Sequence, residues 1–198
     1  MEEENLIDQI RIDRLKQIYG VKFLAVIANK VMLSLSGLLY KWGYLGELTE
    51  TDALTGLFNR NFYERWVEII LAQAERVNVP VSFVMIDMDG LKTINDKQGH
   101  AAGDKLLRKL AKELSTNARK SDIVIRLGGD EFLQIFWDCD EANAIMAMSK
   151  RLSTSEKNGI GFSFGVSEWK KGGSMSQVVA EADKKMYEMK RVRKKKRG

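Results

Sequence analysis

Apolar positions recur along this chain with two different periods, and each change of period marks a change of predicted element. Between residues 6 and 46 the spacing is helical. Leu24, Ala28, Val31, Leu35, Leu38, Trp42 and Leu45 alternate steps of four and three, the seam of a coiled coil. Ile7, Ile10 and Arg14 extend it less cleanly, and no acidic residue lies between Arg14 and Gly46. A membrane span needs roughly 20 apolar residues. The most apolar window, Phe23 to Tyr40, is shorter and carries Lys30, so a dimerising helix is favoured and a membrane anchor stays open as the second reading.

After a non-periodic break at residues 47–52, Phe62, Tyr63, Trp66, Val67, Ile70 and Leu71 line one face of a helix that Asn78-Val-Pro80 ends. Val81 to Ile86 is apolar at every position but Ser82, the mark of a strand buried on both faces, and it leads into Asp87. Leu106, Leu107, Leu110 and Leu114 predict a helix starting near Gly103. Ile123 to Leu127 and Phe132 to Trp137 predict two strands around a Gly128-Gly129 turn. Ile145, Met148 and Leu152 mark a further helix, Ile160 to Val166 a fourth strand, and Met175 to Met189 a closing helix. From Val81 the order is βαββαβ plus one helix, the split-βαβ pattern of ferredoxin-like α+β folds. In that topology the first and third strands are antiparallel neighbours at the sheet centre. The end of the first strand, at Asp87, therefore lies beside the start of the third, at Asp130 and Glu131.

Composition changes this picture little. At 198 residues and 44% hydrophobic the chain has material for one domain plus an appendage. Cys139 is the only cysteine, which excludes a disulfide framework, and with no signal-peptide pattern a reducing cytoplasm is expected. Seven basic residues lie in Lys190 to Arg197, so the rest of the chain, +5 less 7, carries −2. A body that is mildly acidic argues against a broad nucleic-acid surface, and none is expected.

Carboxylates brought together either repel, share a proton or hold a cation. Oxygen ligands of this kind suit magnesium, which keeps waters and completes its shell with phosphate oxygens. Paired glycines let a backbone approach a ligand closely, and Lys92 lies five residues past Asp87 in a segment read as a loop. Acids, magnesium and a phosphate-facing lysine together describe phosphoryl or nucleotidyl transfer. Read alone, the glycine turn is more simply a hairpin; paired with Asp87, the two readings stand level.

Five ordered blocks decide between them. Arg126-Leu-Gly-Gly-Asp-Glu-Phe132 resembles the signature of the GGDEF family of diguanylate cyclases. Asp52 to Arg60 resembles the family's opening motif, Asp87 to Asp96 with Gly99 to Asp104 its nucleotide-binding segment, and Ser163 to Gly165 and Ala182 to Lys190 its closing blocks. The resemblance implies a nucleotide-cyclase or palm-like domain over residues 49–194, after a dimerising segment over 1–48 and before a basic tail over 195–198. It implies condensation of two GTP molecules into cyclic di-GMP by a homodimer, with two magnesium ions per site or manganese in their place. By the same resemblance Asp87, the Met88 carbonyl and Asp130 would bind metal. Asp130 or Glu131 would assist deprotonation of the ribose 3′-hydroxyl, and Lys92 would act on the phosphates. Asn95 and Asp104 would read guanine, and Gly128, Gly129, Lys92, Lys190 and Lys194 would contact the substrate. Here the chain departs from the family, which has Gly-Arg where Arg193-Lys194 stands, and a lysine offers only a point charge. Arg119-Lys-Ser-Asp122, separated from Gly128 by the five residues Ile123 to Leu127, resembles the RxxD site at which the product inhibits. A catalytically silent receptor for cyclic di-GMP is the alternative; silent relatives usually lose the acidic turn, which is intact here. Asp89 and His100 read as structural, as do Asp52, Asn59 and Arg60.

Overall fold

The computed structural model describes residues 50–197; the coiled-coil and membrane-anchor readings of residues 6–46 lie outside them. In chain order the elements are α1 (Arg60–Val77), β1 (Val81–Met88), α2 (Leu91–Gln98), α3 (His100–Thr116), β2 (Ile123–Gly128), β3 (Glu131–Trp137), α4 (Glu141–Lys157), β4 (Phe162–Trp169) and α5 (Met175–Arg197). The strands form one antiparallel sheet in the order β2-β3-β1-β4. β1 is central, and all eight of its residues are buried, which explains why its sequence shows no alternation.

The two faces of β1 serve two cores. Val84, Ile86 and Met88 pack with Leu107, Leu110 and Leu114 of α3 and Ala144 and Met148 of α4. Val81, Phe83 and Met85 pack with Phe62, Val67 and Ile70 of α1 and Val178, Ala182 and Met186 of α5. Phe83, Val84 and Ile86 are wholly inaccessible, and burying each such side chain contributes about 1.5–3 kcal/mol. The second face is the one to which Asp87 belongs by alternation.

Local chemistry sets the boundaries. Asn59 caps α1 by accepting the Phe62 N–H, and Asn78 ends it in a left-handed conformation. α2 and α3 are joined through Gly99 alone, at φ 82°, a conformation that suits glycine. Three expectations need correction. Residues 91–98 are helical, so Lys92 stands on a helix and not in a loop; α3 starts at His100, ahead of Gly103; and β4 runs three residues past Val166. The backbone also shows no break at residue 195, since α5 continues through the basic segment to Arg197.

Candidate functional site

At the C-terminal end of β1, Asp87 faces Glu131 on one side and Ser163 on the other. One residue further, the Met88 N–H donates to the Asp130 carbonyl at 3.0 Å, and the Asp89 N–H to the Gly161 carbonyl at 2.9 Å. The acidic turn is thereby fastened to the strand end, as the topology predicted. Gly128 and Gly129 have φ of 143° and 53°, values that a side chain would resist. A register shift between Arg126 and Gly128 leads into the turn.

Arginines hold that turn from outside. The Arg126 guanidinium donates to the Gly129 carbonyl at 2.8 and 3.2 Å and pairs with Asp52 at 3.0 Å. Arg60 donates to the Leu127 carbonyl at 3.2 Å. Burial opposes ionisation of Asp52, but hydrogen bonds from Thr55 and Arg126 outweigh it and hold its carboxyl below the ordinary 3.8.

Asp87 is only 5% exposed. Its Oδ1 lies 2.6 Å from Lys190 Nζ on α5, and among the described residues no other donor reaches the oxygen. Burial pushes the Asp87 carboxyl up, the Lys190 ammonium opposes the shift, and the negative charges of Asp130 and Asp89 add to it. Burial alone would lower Lys190, yet Asp87, Asp130 and Asp89 together raise it. Asp89 is fixed: its Oδ1 accepts from Ser163 at 2.8 Å and its Oδ2 from Arg193 at 3.0 Å.

A buried carboxylate oxygen whose sole partner is a lysine ammonium, in the field of further aspartates, fits a cation. Among the described residues no three His, Cys, Asp or Glu side chains converge into a metal cage. A cation would draw on Asp87, Asp130 and the Met88 carbonyl, with remaining ligands from outside the chain. Magnesium suits such a sparse set, because it binds through one or two carboxylates plus water and phosphate.

The expected base-reading pair sits on the α2–α3 corner. Asn95 Oδ1 is buried without a partner, and a Cβ at Gly103 would meet it at 2.0 Å. Glycine at 103 thus makes room for the carboxamide, and Asp104, half-buried, follows on α3. Lys92 is exposed in the first turn of α2. Lys194 is exposed on α5, whereas Arg193 turns inward onto carboxylates. Away from this end of the sheet, the Asp122 Oδ2 accepts the Arg119 N–H at 2.9 Å, while among the described residues its buried Oδ1 meets no hydrogen-bond partner. Burial raises the Asp122 carboxyl, and bonds from Arg119 oppose the rise. The Arg119 side chain is exposed beside it.

Sequence reading gave no role to Arg126 or Arg193. Arg126 had a signal, its place two residues before the paired glycines. Arg193 had another, its position three residues after Lys190 on the same helix face.

The family model described as "Diguanylate cyclase, GGDEF domain" matches residues 49–196. The diguanylate cyclase DgcS of Shewanella oneidensis is 32% identical over 144 residues, covering 70% of this chain and 49% of that protein. The probable diguanylate cyclase DgcJ of Escherichia coli is 37% identical over 141 residues, covering 69% and 28%. The chain therefore spans about half, or less, of the length of these curated relatives. Among solved structures, the GGDEF domain of DgcB from Caulobacter crescentus, in complex with c-di-GMP, superposes with a TM-score of 0.67 at 28% identity, covering 72% of this chain and 88% of that one.

Proposed function

The chain belongs to the GGDEF family of diguanylate cyclase domains, and on that premise we propose that it condenses two GTP molecules into cyclic di-GMP. One observation carries the reading: buried Asp87 beside the Asp130 turn, with the Lys190 ammonium 2.6 Å from its Oδ1. In each half of the reaction a ribose 3′-oxygen bonds to the α-phosphorus of the other GTP. The bond from that phosphorus to the β-phosphate bridge breaks, pyrophosphate leaves, and the hydroxyl proton passes to Asp130 or Glu131. A divalent cation held by Asp87, Met88 and Asp130, magnesium with manganese as substitute, would neutralise the triphosphate and acidify the hydroxyl.

The chain's own groups do the rest. Lys190, released from Asp87, and Lys92 meet the β- and γ-phosphates, with Lys194 at the periphery, and the Gly128-Gly129 backbone lets the triphosphate approach closely. Asn95 Oδ1 accepts from a guanine donor and Asp104 from the N1 and exocyclic amine edge; a base lacking those donors leaves both acceptors unpaired. Arg119 and Asp122 form the product-inhibition site, and the orphan Asp122 oxygen supports that assignment. Because each domain holds one GTP, two copies must face each other. The heptad seam before residue 49 supports pairing through residues 1–48, which raises the local concentration of the second domain. The lone cysteine supports a cytoplasmic setting.

The test is to incubate purified protein with GTP and magnesium and to separate the products. Cyclic di-GMP and pyrophosphate in a 1:2 ratio from wild type, and none from Asp130→Ala, support the reading. Tight binding of cyclic di-GMP with no turnover of GTP would replace it with the receptor reading.

A further inference from the structure

We propose that Arg193 is a positioning residue that moors the last turns of α5, and thereby keeps Lys190 within reach of Asp87 and of a bound triphosphate. The substrate in this statement rests on the cyclase reading; the mooring rests on the structure alone.

The need for a mooring follows from the face that α5 presents to the sheet. Val178, Ala182 and Met186 are buried and Met189 is partly so, but no apolar residue after Met189 reaches the core. Val192 is exposed. Beyond Met189 the inner face carries Lys190 and Arg193, three residues apart and therefore adjacent on the helix surface. The same turns concentrate seven basic residues between Lys190 and Arg197, and like charges at helical spacing destabilise a helix. With no apolar contact beyond Met189 and like charges crowded along it, this end has nothing but polar bonds to hold it on the sheet.

Arg193 supplies the attachment that apolar packing does not. Its Nε lies 3.0 Å from Asp89 Oδ2, and another guanidinium nitrogen lies 2.6 Å from Glu156 Oε1. One planar fork thus ties α5 to two separate elements, the turn after β1 and the last helical turn of α4, a span a lysine ammonium could not bridge with fixed geometry. Asp89 is a rigid post, 6% exposed at its side chain and already bonded to Ser163. The Arg193 side chain is 16% exposed, whereas Lys190 is 40% exposed. Two inner-face cations therefore differ in kind. Arg193 is bound twice and screened from water; Lys190 is bound once at the open edge, free to exchange Asp87 for phosphate while the helix beneath it stays in place.

Two variants test this in the full chain: Arg193→Gln, and Glu156→Gln at a carboxylate that takes no part in the site. Hydrogen–deuterium exchange without nucleotide should show the 187–195 segment exchanging about tenfold faster in Arg193→Gln and about threefold faster in Glu156→Gln, with β1 and β3 at wild-type protection. In initial-rate assays KM for GTP should rise about fivefold in Arg193→Gln with kcat changed less than about twofold, and Arg193→Lys should recover part of the loss. Wild-type exchange at 187–195 in both variants overturns the proposal. So does a raised KM in Arg193→Gln with none in Glu156→Gln, which would mean that Arg193 touches phosphate directly. If Arg193→Gln fails to fold, Glu156→Gln decides alone. If wild type makes no cyclic di-GMP, the cyclase reading falls, and the exchange measurement still decides the mooring.

Discussion

Replacing Gly103 with alanine separates site geometry from stability. The added Cβ would sit 2.0 Å from Asn95 Oδ1 and 3.0 Å from both Asn95 Cγ and Leu91 Cδ1. To reach ordinary contact near 3.4 Å the carboxamide oxygen must retreat by about 1.4 Å. Alanine inside a helix gains about 0.5–1 kcal/mol over glycine, and overpacking costs about 1–3 kcal/mol. The net loss is about 0–2.5 kcal/mol, or a fall in Tm of at most about 10 °C for a domain of this size. Losing one buried hydrogen bond to the base costs about 1–3 kcal/mol, about 5- to 140-fold in affinity. GTP affinity, measured by calorimetry with 3′-deoxy-GTP and magnesium, should therefore fall by that factor while the domain stays folded. Asn95→Ala should show a comparable loss of affinity. The double variant should lose no more than either single one and should regain stability, since the clash is gone. A Gly103→Ala protein that binds as tightly as wild type would show that Asn95 and Gly103 merely pack together, and would remove Asn95 from base reading.

Two further outcomes follow from the same structure. Gly165→Ala would place a Cβ 2.1 Å from the Ala182 carbonyl oxygen and 2.2 Å from the Met186 nitrogen; backbone cannot rotate aside, so α5 must lift from β4 at a cost of about 3 kcal/mol or more, and a calorimetric Tm within about 2 °C of wild type would refute that. Asp52 is held below its ordinary 3.8 in the fold, so its stabilising bonds to Thr55 and Arg126 are fully present above 3.8 and are lost as pH falls through the folded value; the advantage of wild type over Asp52→Asn, about 1 kcal/mol in urea unfolding at neutral pH, should fade only in that acid window, and an advantage constant down to strong acid would contradict the assignment.

How far the sequence alone revealed this arrangement depended on the kind of interaction involved. Most of β1 was legible because a strand covered on both faces is nearly all apolar, Ser82 apart, and Asp87 marked the edge of the core on its own face, while Met88 still packs on the other. The meeting of Asp87 with the Asp130 turn followed from strand order. α2 was not legible: of residues 91–98 only Leu91 is buried, so no apolar period exists to be read. α3 was expected to start near Gly103 because its apolar period begins only at Leu106; the glycine inside the helix answers to Asn95, a contact between helices that periodicity does not encode. The segment beyond residue 194 read as a tail because of its charge, yet α5 continues through it. Bonds such as Arg126 to Asp52 and Arg193 to Asp89, 74 and 104 residues apart, leave no periodic trace at all.

The account depends most on Asp87 holding a cation together with the Asp130 turn. Electron paramagnetic resonance of manganese, titrated into the protein with saturating 3′-deoxy-GTP, measures that binding without any turnover. Wild type should take up the ion, and Asp87→Asn and Asp130→Asn should each weaken uptake at least about tenfold. Wild-type manganese affinity in Asp87→Asn would contradict the central claim.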